Sequence, residues 1–354
     1  MTAVTSEVEL AVPQRVAVLT RSAGRWTAAL GGAVAIFGLL MVVKGVAPLD
    51  AYRSMWSALT TDTSLTAILV KGAPLVLAAL AVTIPAKAGL VNVGGEGQLI
   101  MGGVFAAGAS MALGSAVPGG LALVALGLAG AVGGALWAGI AALLRLWVGI
   151  SEAVTTLLLN FVALNIMYFL IYSPWKDPNG SGQPATRPIP VAQRLPLLGT
   201  STVHQGVVLA LLAVVAVWFL LTRTRLGFQL RVVGGNAEAA RRAGLRVGSL
   251  LVGAMLLGGA LAGLGGMAHL AGAEFKLRPG FLVSYGYIGF LASWLARHNP
   301  VKVAAAALLL GAISISGDSL QIDSQLPAAT VNVLMALVLI AVFGFAGRRA
   351  KAFA

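Results

Sequence analysis

Residues 64–98 read SLTAILVKGAPLVLAALAVTIPAKAGLVNVGGEGQ. From Ser64 to Ala86 the run is apolar for longer than the about 20 residues that cross a hydrocarbon core of about 30 Å. The pattern then changes abruptly. Gly94, Gly95 and Gly97 each weaken a helix by about 1 kcal/mol relative to Ala, and Asn92, Glu96 and Gln98 set polar groups in an otherwise apolar run. A charged side chain in hydrocarbon costs about 2.5 kcal/mol or more, so such a group faces a cavity or a partner. One reading is a broken helix beside a pathway, where loosened backbone is tolerated. The other is close glycine packing, with Glu96 near the cytoplasmic surface. Lys71 is a conceivable partner for Glu96, although helix rise separates the two in depth by about 10 Å.

The rest of the chain agrees with a membrane setting. Of its 354 residues, 58% are hydrophobic and only 10% charged, and its mean hydropathy is +0.92. Soluble domains carry about a quarter charged residues. The composition therefore predicts an all-α polytopic membrane protein and excludes disorder, collagen and coiled coil. About ten spans are expected, near 26–46, 64–86, 89–114, 119–144, 151–172, 204–222, 249–271, 281–297, 300–317 and 328–347. Zero Cys removes disulfides, thiolate metal sites and cysteine catalysis, and the widely separated His204, His269 and His298 lack metal-ligand spacing. The net charge of +13 fits Lys and Arg gathered in cytoplasmic loops, with no nucleic-acid partner expected. With both termini cytoplasmic, most of the 24 basic residues fall inside. Losing one span would place either the 223–246 loop or the Arg348–Lys351 tail outside.

This gives a cytoplasmic lead over 1–25, a single transmembrane domain over 26–347 and a cytoplasmic tail over 348–354. Within the lead, 12–25 has the alternation of a short amphipathic surface helix. The Pro-rich extracytoplasmic loop 173–203 is either a contact surface for an extracytoplasmic protein or a passive connector. The cytoplasmic loop 223–248 contains a short helix from Asn236 to Ala243. Asn236 is its N-cap, Glu238 lies in the first turn, Ala239, Ala240, Arg241 and Arg242 continue it, and Gly244 stops it.

Other polar positions carry two readings each. Glu152 complements the dipole of its own helix or serves a gate, and Asn160 and Asn165 bond neighbouring helices or contact substrate. Gly130/Gly134 and Gly259/Gly263 have the spacing of helix-packing faces. Enzyme signatures are missing: there is no Gly-Lys dipeptide for a phosphate loop, no HExxH and no GxSxG. Gly317-Asp318-Ser319-Leu320 spells a hydrolase signature, but no His follows position 298.

Leu90-Val91-Asn92-Val93-Gly94-Gly95-Glu96-Gly97-Gln98 resembles a stretch of the permease subunits of bacterial nucleoside ABC importers. Residues 226–244, LGFQLRVVGGNAEAARRAG, resemble the cytoplasmic loop shared by that family and ribose-type sugar permeases. Glu152–Asn160 and Tyr285–Pro300 add to the likeness, which extends over about 65–345. Gly95 departs from the Ala frequent there. The resemblance implies a bacterial inner-membrane importer in parts. An extracytoplasmic lipoprotein delivers the nucleoside, two paralogous permeases in membrane lipid form the path, and separate subunits hydrolyse ATP. It implies no cofactor on this chain, with ATP and Mg bound by the ATPase.

In that scheme the helix at 236–244 is the ATPase docking element, with Arg241, Arg242 and Arg246 opposite carboxylates. The alternative is that these Arg bind anionic lipid. Asn92, Glu96, Gln98 and Asn160 are candidate path residues, with Phe161 and Trp294 as stacking surfaces for a flat base. The rival readings are a permease for a simple sugar or branched-chain amino acid, an ion-coupled carrier, and a membrane enzyme.

Overall fold

The computed structural model describes residues 27–28, 31–180, 182–327 and 330–350. The reading of 12–25 as a surface helix lies outside the described residues. Among the described residues the structure is helical, with two isolated bridges and no strand. In chain order the helices are α1 (Gly31–Val43), α2 (Pro48–Thr60), α3 (Ser64–Lys87), α4 (Gly95–Leu113), α5 (Gly119–Val148), α6 (Glu152–Tyr172), α7 (Gly206–Arg223), α8 (Arg225–Gly235), α9 (Ala237–Arg242), α10 (Val247–His269), α11 (Tyr285–Leu295), α12 (Pro300–Ser324) and α13 (Thr330–Ala350). Six of them are long and apolar enough to cross a bilayer: α3, α5, α6, α7, α12 and α10 together with its π-turn extension to Glu274.

The backbone forms two compact units. The first joins the described residues up to Thr60 to the described residues from Ser316 onward. Here α1 and α2 are bent by 115°. Gly45, with φ +77°, and Pro48 at the start of α2 make that corner. Tyr52 Oη donates to Val34 O across it at 2.5 Å. In the same unit Ser54 bonds Ser319 at 3.1 Å and also bonds Asp323.

The second unit, 61–315, holds the site. Its centre is a glycine crossing of α4, α5 and α10. A Cβ on Gly134 would overlap Gly259 O, one on Gly263 would overlap Gly130 O, and one on Gly102 would overlap the Gly263 backbone. Small residues at a four-residue spacing let these backbones touch, as their sequence pattern indicated. Around the crossing, Leu99, Ile100, Leu126, Met167 and Phe281 are fully buried.

The eighth expected span, 281–297, differs from expectation. Its helix, α11, has 11 residues and so rises only about 16 Å. The preceding segment, 275–284, is irregular, with Phe275, Leu282 and Ser284 all at positive φ. The Pro-rich loop 173–203 lies along the start of this segment and the π-turn before it. Thr186 N donates to Leu277 O at 3.0 Å, Ile189 N to Phe275 O at 2.8 Å and Leu195 N to Ala271 O at 2.8 Å. Gln193 is buried, bonding Ser110 and donating to Gly114 O at 2.6 Å.

Candidate functional site

The break between α3 and α4 begins as a helix stop. Gly89, at φ +80°, takes the left-handed conformation that glycine adopts without steric cost. Leu90 N donates to Pro85 O at 3.0 Å and Gly89 N to Ala86 O at 3.1 Å, which closes the last turn of α3 in a Schellman motif. Residues 90–94 then run without helical bonding until α4 starts at Gly95. A non-helical stretch in an apolar setting leaves backbone groups that need partners.

Those partners come from one face of α6. Glu152, Thr156 and Asn160 are four residues apart, so they align along one side of the helix. Glu152 Oε1 accepts from Val91 N at 2.9 Å, Thr156 Oγ1 from Val93 N at 3.2 Å, and Asn160 Oδ1 from Gly97 N at 2.8 Å. The Asn160 amide also donates to Val93 O at 3.0 Å and to Tyr287 Oη at 3.3 Å. Glu152, 4% exposed, forms an ion pair with Arg145 through its other oxygen. Its carboxylate is therefore spent on the neighbouring segment and Arg145, and Ser151 makes no side-chain cap for α6.

Within the break, Asn92 and Gln98 pair their amides reciprocally. Gln98 Nε2 donates to Asn92 Oδ1 at 2.8 Å, and Asn92 Nδ2 donates to Gln98 Oε1 at 3.0 Å. Asn92 Oδ1 also accepts from Gly94 N at 3.0 Å. Both residues are buried.

Glu96, 8% exposed, turns away from α6 toward α11. Its Oε1 accepts from Ser284 N at 2.6 Å and its Oε2 from Gly286 N at 2.7 Å. The carboxyl group caps the N-terminus of α11, whose own N-cap residue, Ser284, makes no side-chain cap. First-turn amide groups and the helix dipole both favour an anion there. Gly286 permits the approach, since a Cβ on it would overlap the Glu96 backbone.

The two aromatic candidates differ in setting. Phe161 projects from α6 and is 58% exposed. Trp294 lies in α11 between the rings of Phe290, at 5.8 Å, and His298, at 4.8 Å. Asn165, the deeper polar residue of α6, donates to Phe161 O in its own helix at 2.8 Å.

In the loop 223–248, α9 has the ends expected of it. Asn236 Oδ1 accepts from Glu238 N at 3.0 Å and Ala239 N at 2.9 Å. Gly244, at φ +82°, ends the helix, with Leu245 N donating to Ala240 O at 3.0 Å. Glu238 pairs with Arg241 at 2.7 Å and Arg242 at 3.1 Å. Ala240 is the buried residue of α9, while Glu238, Ala239, Arg241 and Arg242 are exposed. Sequence reasoning missed α8, which precedes it. Thr224, whose hydroxyl accepts from Gly227 N at 3.1 Å, was a usable N-cap signal, and Leu226, Leu230 and Val233 have helical spacing.

Comparison with known proteins follows this geometry. The chain is 38% identical to the glucose ABC transporter permease protein of Haloferax volcanii over 321 residues, 87% of this chain and 83% of that protein. It is 30% identical to the guanosine ABC transporter permease protein NupP of Bacillus subtilis over 311 residues, 85% of this chain and 87% of that one. With the nucleoside ABC transporter permease protein NupB of Lactococcus lactis subsp. cremoris the identity is 28%, over 85% of each chain. Residues 64–343, which contain the whole second unit except its first three residues, match the family model described as "Branched-chain amino acid transport system / permease component". The chain belongs to that family and is a multi-pass membrane permease component of a transport system.

Proposed function

We propose that this chain is one of two paralogous permeases of a bacterial inner-membrane ABC importer for nucleosides. Separate ATPase subunits bind ATP and Mg and drive the path between alternating states, and an extracytoplasmic lipoprotein delivers the solute. The observation that carries this reading is the family match joined to the relatives named for guanosine and nucleosides. The exposed, doubly capped α9 supports it as the surface on which the ATPase docks, with Asn236 through Gly244 as its docking residues. The proposed topology has both termini cytoplasmic and ten crossings, with α4 and α11 each contributing a partial one.

The path residues divide into frame and surface. Asn92, Glu96, Gln98 and Asn160 spend their polar groups on this chain, so their proposed part is to hold the wall of the path in shape. Phe161, exposed one position after Asn160, is the proposed stacking surface for a base, and Trp294 of α11 is a second candidate. A second reading, import of a simple sugar, is favoured by the 38% identity to the glucose permease. The test is uptake into proteoliposomes holding the complete complex and its lipoprotein. Labelled guanosine and glucose are compared in competition. Guanosine uptake that a large excess of glucose leaves unchanged supports the first reading. Glucose uptake without guanosine uptake replaces it with the second, and uptake by this chain alone removes both.

A further inference from the structure

The cytoplasmic helices and the broken segment touch at one place, where two glycine backbones meet. A Cβ on Gly234, near the end of α8, would overlap Lys87 O and lie 3.1 Å from Gly89 N. A Cβ on Gly89 would lie 3.3 Å from Gly234 Cα. No side chain cushions this contact, so a displacement on one side reaches the other directly. The neighbouring Gly235, in the same helix, has nothing within 4 Å of its Cβ position.

Each side of the contact is tied to neighbouring elements. Val233 of α8, Ala240 of α9 and Val247 of α10 form one buried cluster, against which Leu245 also packs. That cluster ties α9 to α8, so the two move together. On the other side Gly89 is the Schellman glycine of α3, and Val91, Val93 and Gly97 follow it within eight residues, each bonded to the α6 face. Glu96 then carries the segment to the start of α11. The contact therefore links the exposed cytoplasmic helix to the point where α3, α4, α6 and α11 are hydrogen-bonded together.

From this geometry we infer that Gly89 and Gly234 are positioning residues that transmit movement of α8 and α9 to the break between α3 and α4, setting how α11 sits against α4. The inference rests on the reading of α9 as the ATPase docking element.

Two measurements on the assembled complex test it. The first is hydrogen exchange of the wild-type complex with and without nucleotide trapped by vanadate. The joint predicts that exchange at Val91, Val93 and Gly97 changes together with exchange in α8 and α9. A change in α9 with 91–97 unaltered overturns the joint and leaves the docking reading standing. No difference in α9 between the free permease and the ATPase-bound complex removes the docking reading and the joint with it. The second compares Gly234→Ala with Gly235→Ala. Expected for Gly234→Ala is basal ATP hydrolysis near wild type and solute moved per ATP lowered about tenfold, within the range by which mutations along such contacts shift coupling. Gly235→Ala keeps both. Equal transport per ATP in the two variants overturns the joint, and if Gly234→Ala does not assemble, the wild-type exchange result decides.

Discussion

Replacing Glu96 tests whether an intramembrane carboxyl group is there to satisfy backbone. Glu96→Ala deprives Ser284 N and Gly286 N of acceptors now at 2.6 and 2.7 Å. Leaving a buried donor unsatisfied costs about 1–3 kcal/mol, so two cost about 2–6 kcal/mol. Glu96→Gln keeps one acceptor oxygen and turns an NH2 toward the other N–H, so its cost is about half, 1–3 kcal/mol. At roughly 2–4 °C per kcal/mol for domains of 150–250 residues, the Ala variant should melt on the order of 10 °C below wild type, with Gln between them. The assay is thermal unfolding of the detergent-purified chain, paired with hydrogen exchange at the first turn of α11. That turn should lose protection in the Ala variant, while the N-cap of α9, which has its own side-chain acceptor, keeps its protection. A Glu96→Ala protein that melts with wild type and keeps Ser284 and Gly286 protected would refute the capping argument. Equal losses for Gln and Ala would refute its division between two oxygens.

Three further outcomes follow from other parts of the unit. Gly263→Ala forces a Cβ into the Gly130 backbone at the α5–α10 crossing, and overpacking of this kind costs about 1–3 kcal/mol or more. Gly120→Ala, with nothing within 4 Å, should leave melting and monodispersity on size exclusion unchanged. Asn236→Ala removes the acceptor for Glu238 N and Ala239 N, lowering the local stability of α9 by about 1 kcal/mol. Exchange in α9 should rise about fivefold, global melting should not move, and Asn236→Asp should restore protection. His298, in the connection between α11 and α12, is held near a pKa of about 4 by burial and then by the charge of Lys87. Because the folded value lies below the ordinary 6.5, its contribution is complete above pH 6.5 and is lost as pH falls toward 4. His298→Asn, which suits the local φ of +56° and retains a hydrogen-bonding group for Ser293, should flatten the melting curve over that pH window.

What was legible in the sequence was local. The ends of α9 are set by Asn236 and Gly244, each within a few residues of the group it satisfies, so both could be read directly. The glycine pairs of α5 and α10 were legible because a four-residue spacing of small residues has one economical use in an apolar helix. The corner between α1 and α2 was readable in principle from Gly45 and Pro48, but the apolar run of α1 drew attention to a single span. α8 went unseen because its two Arg and two adjacent Gly make it look like loop, while its stability comes from burying Gly227, Leu230 and Val233. The partner of Glu96 could not be read at all. Ser284 lies 188 residues away and offers a backbone amide, which has no sequence signature.

The same distinction bears on how intramembrane polarity is interpreted. A polar residue in an apolar span is usually taken to mark a solute or ion, because its burial is costly without a partner. Around this break the partner is the chain itself. Ending α3 at Gly89 frees amides at Val91, Val93, Gly94 and Gly97, and the side chains of Glu152, Thr156, Asn92 and Asn160 take them one for one. Asn92 and Gln98 then use their remaining amide capacity mainly on each other. Polarity here scales with the backbone disturbed, which leaves little donor capacity for a solute. In the proposed function, the surface that recognises solute is assigned to residues beside the seam. Phe161 follows Asn160 by one position, which turns it about 100° around α6 and places it in the open while its neighbour is buried. The break supplies an internally satisfied frame, and the proposed function therefore assigns the chemistry presented to a solute to the adjoining faces of the same helices.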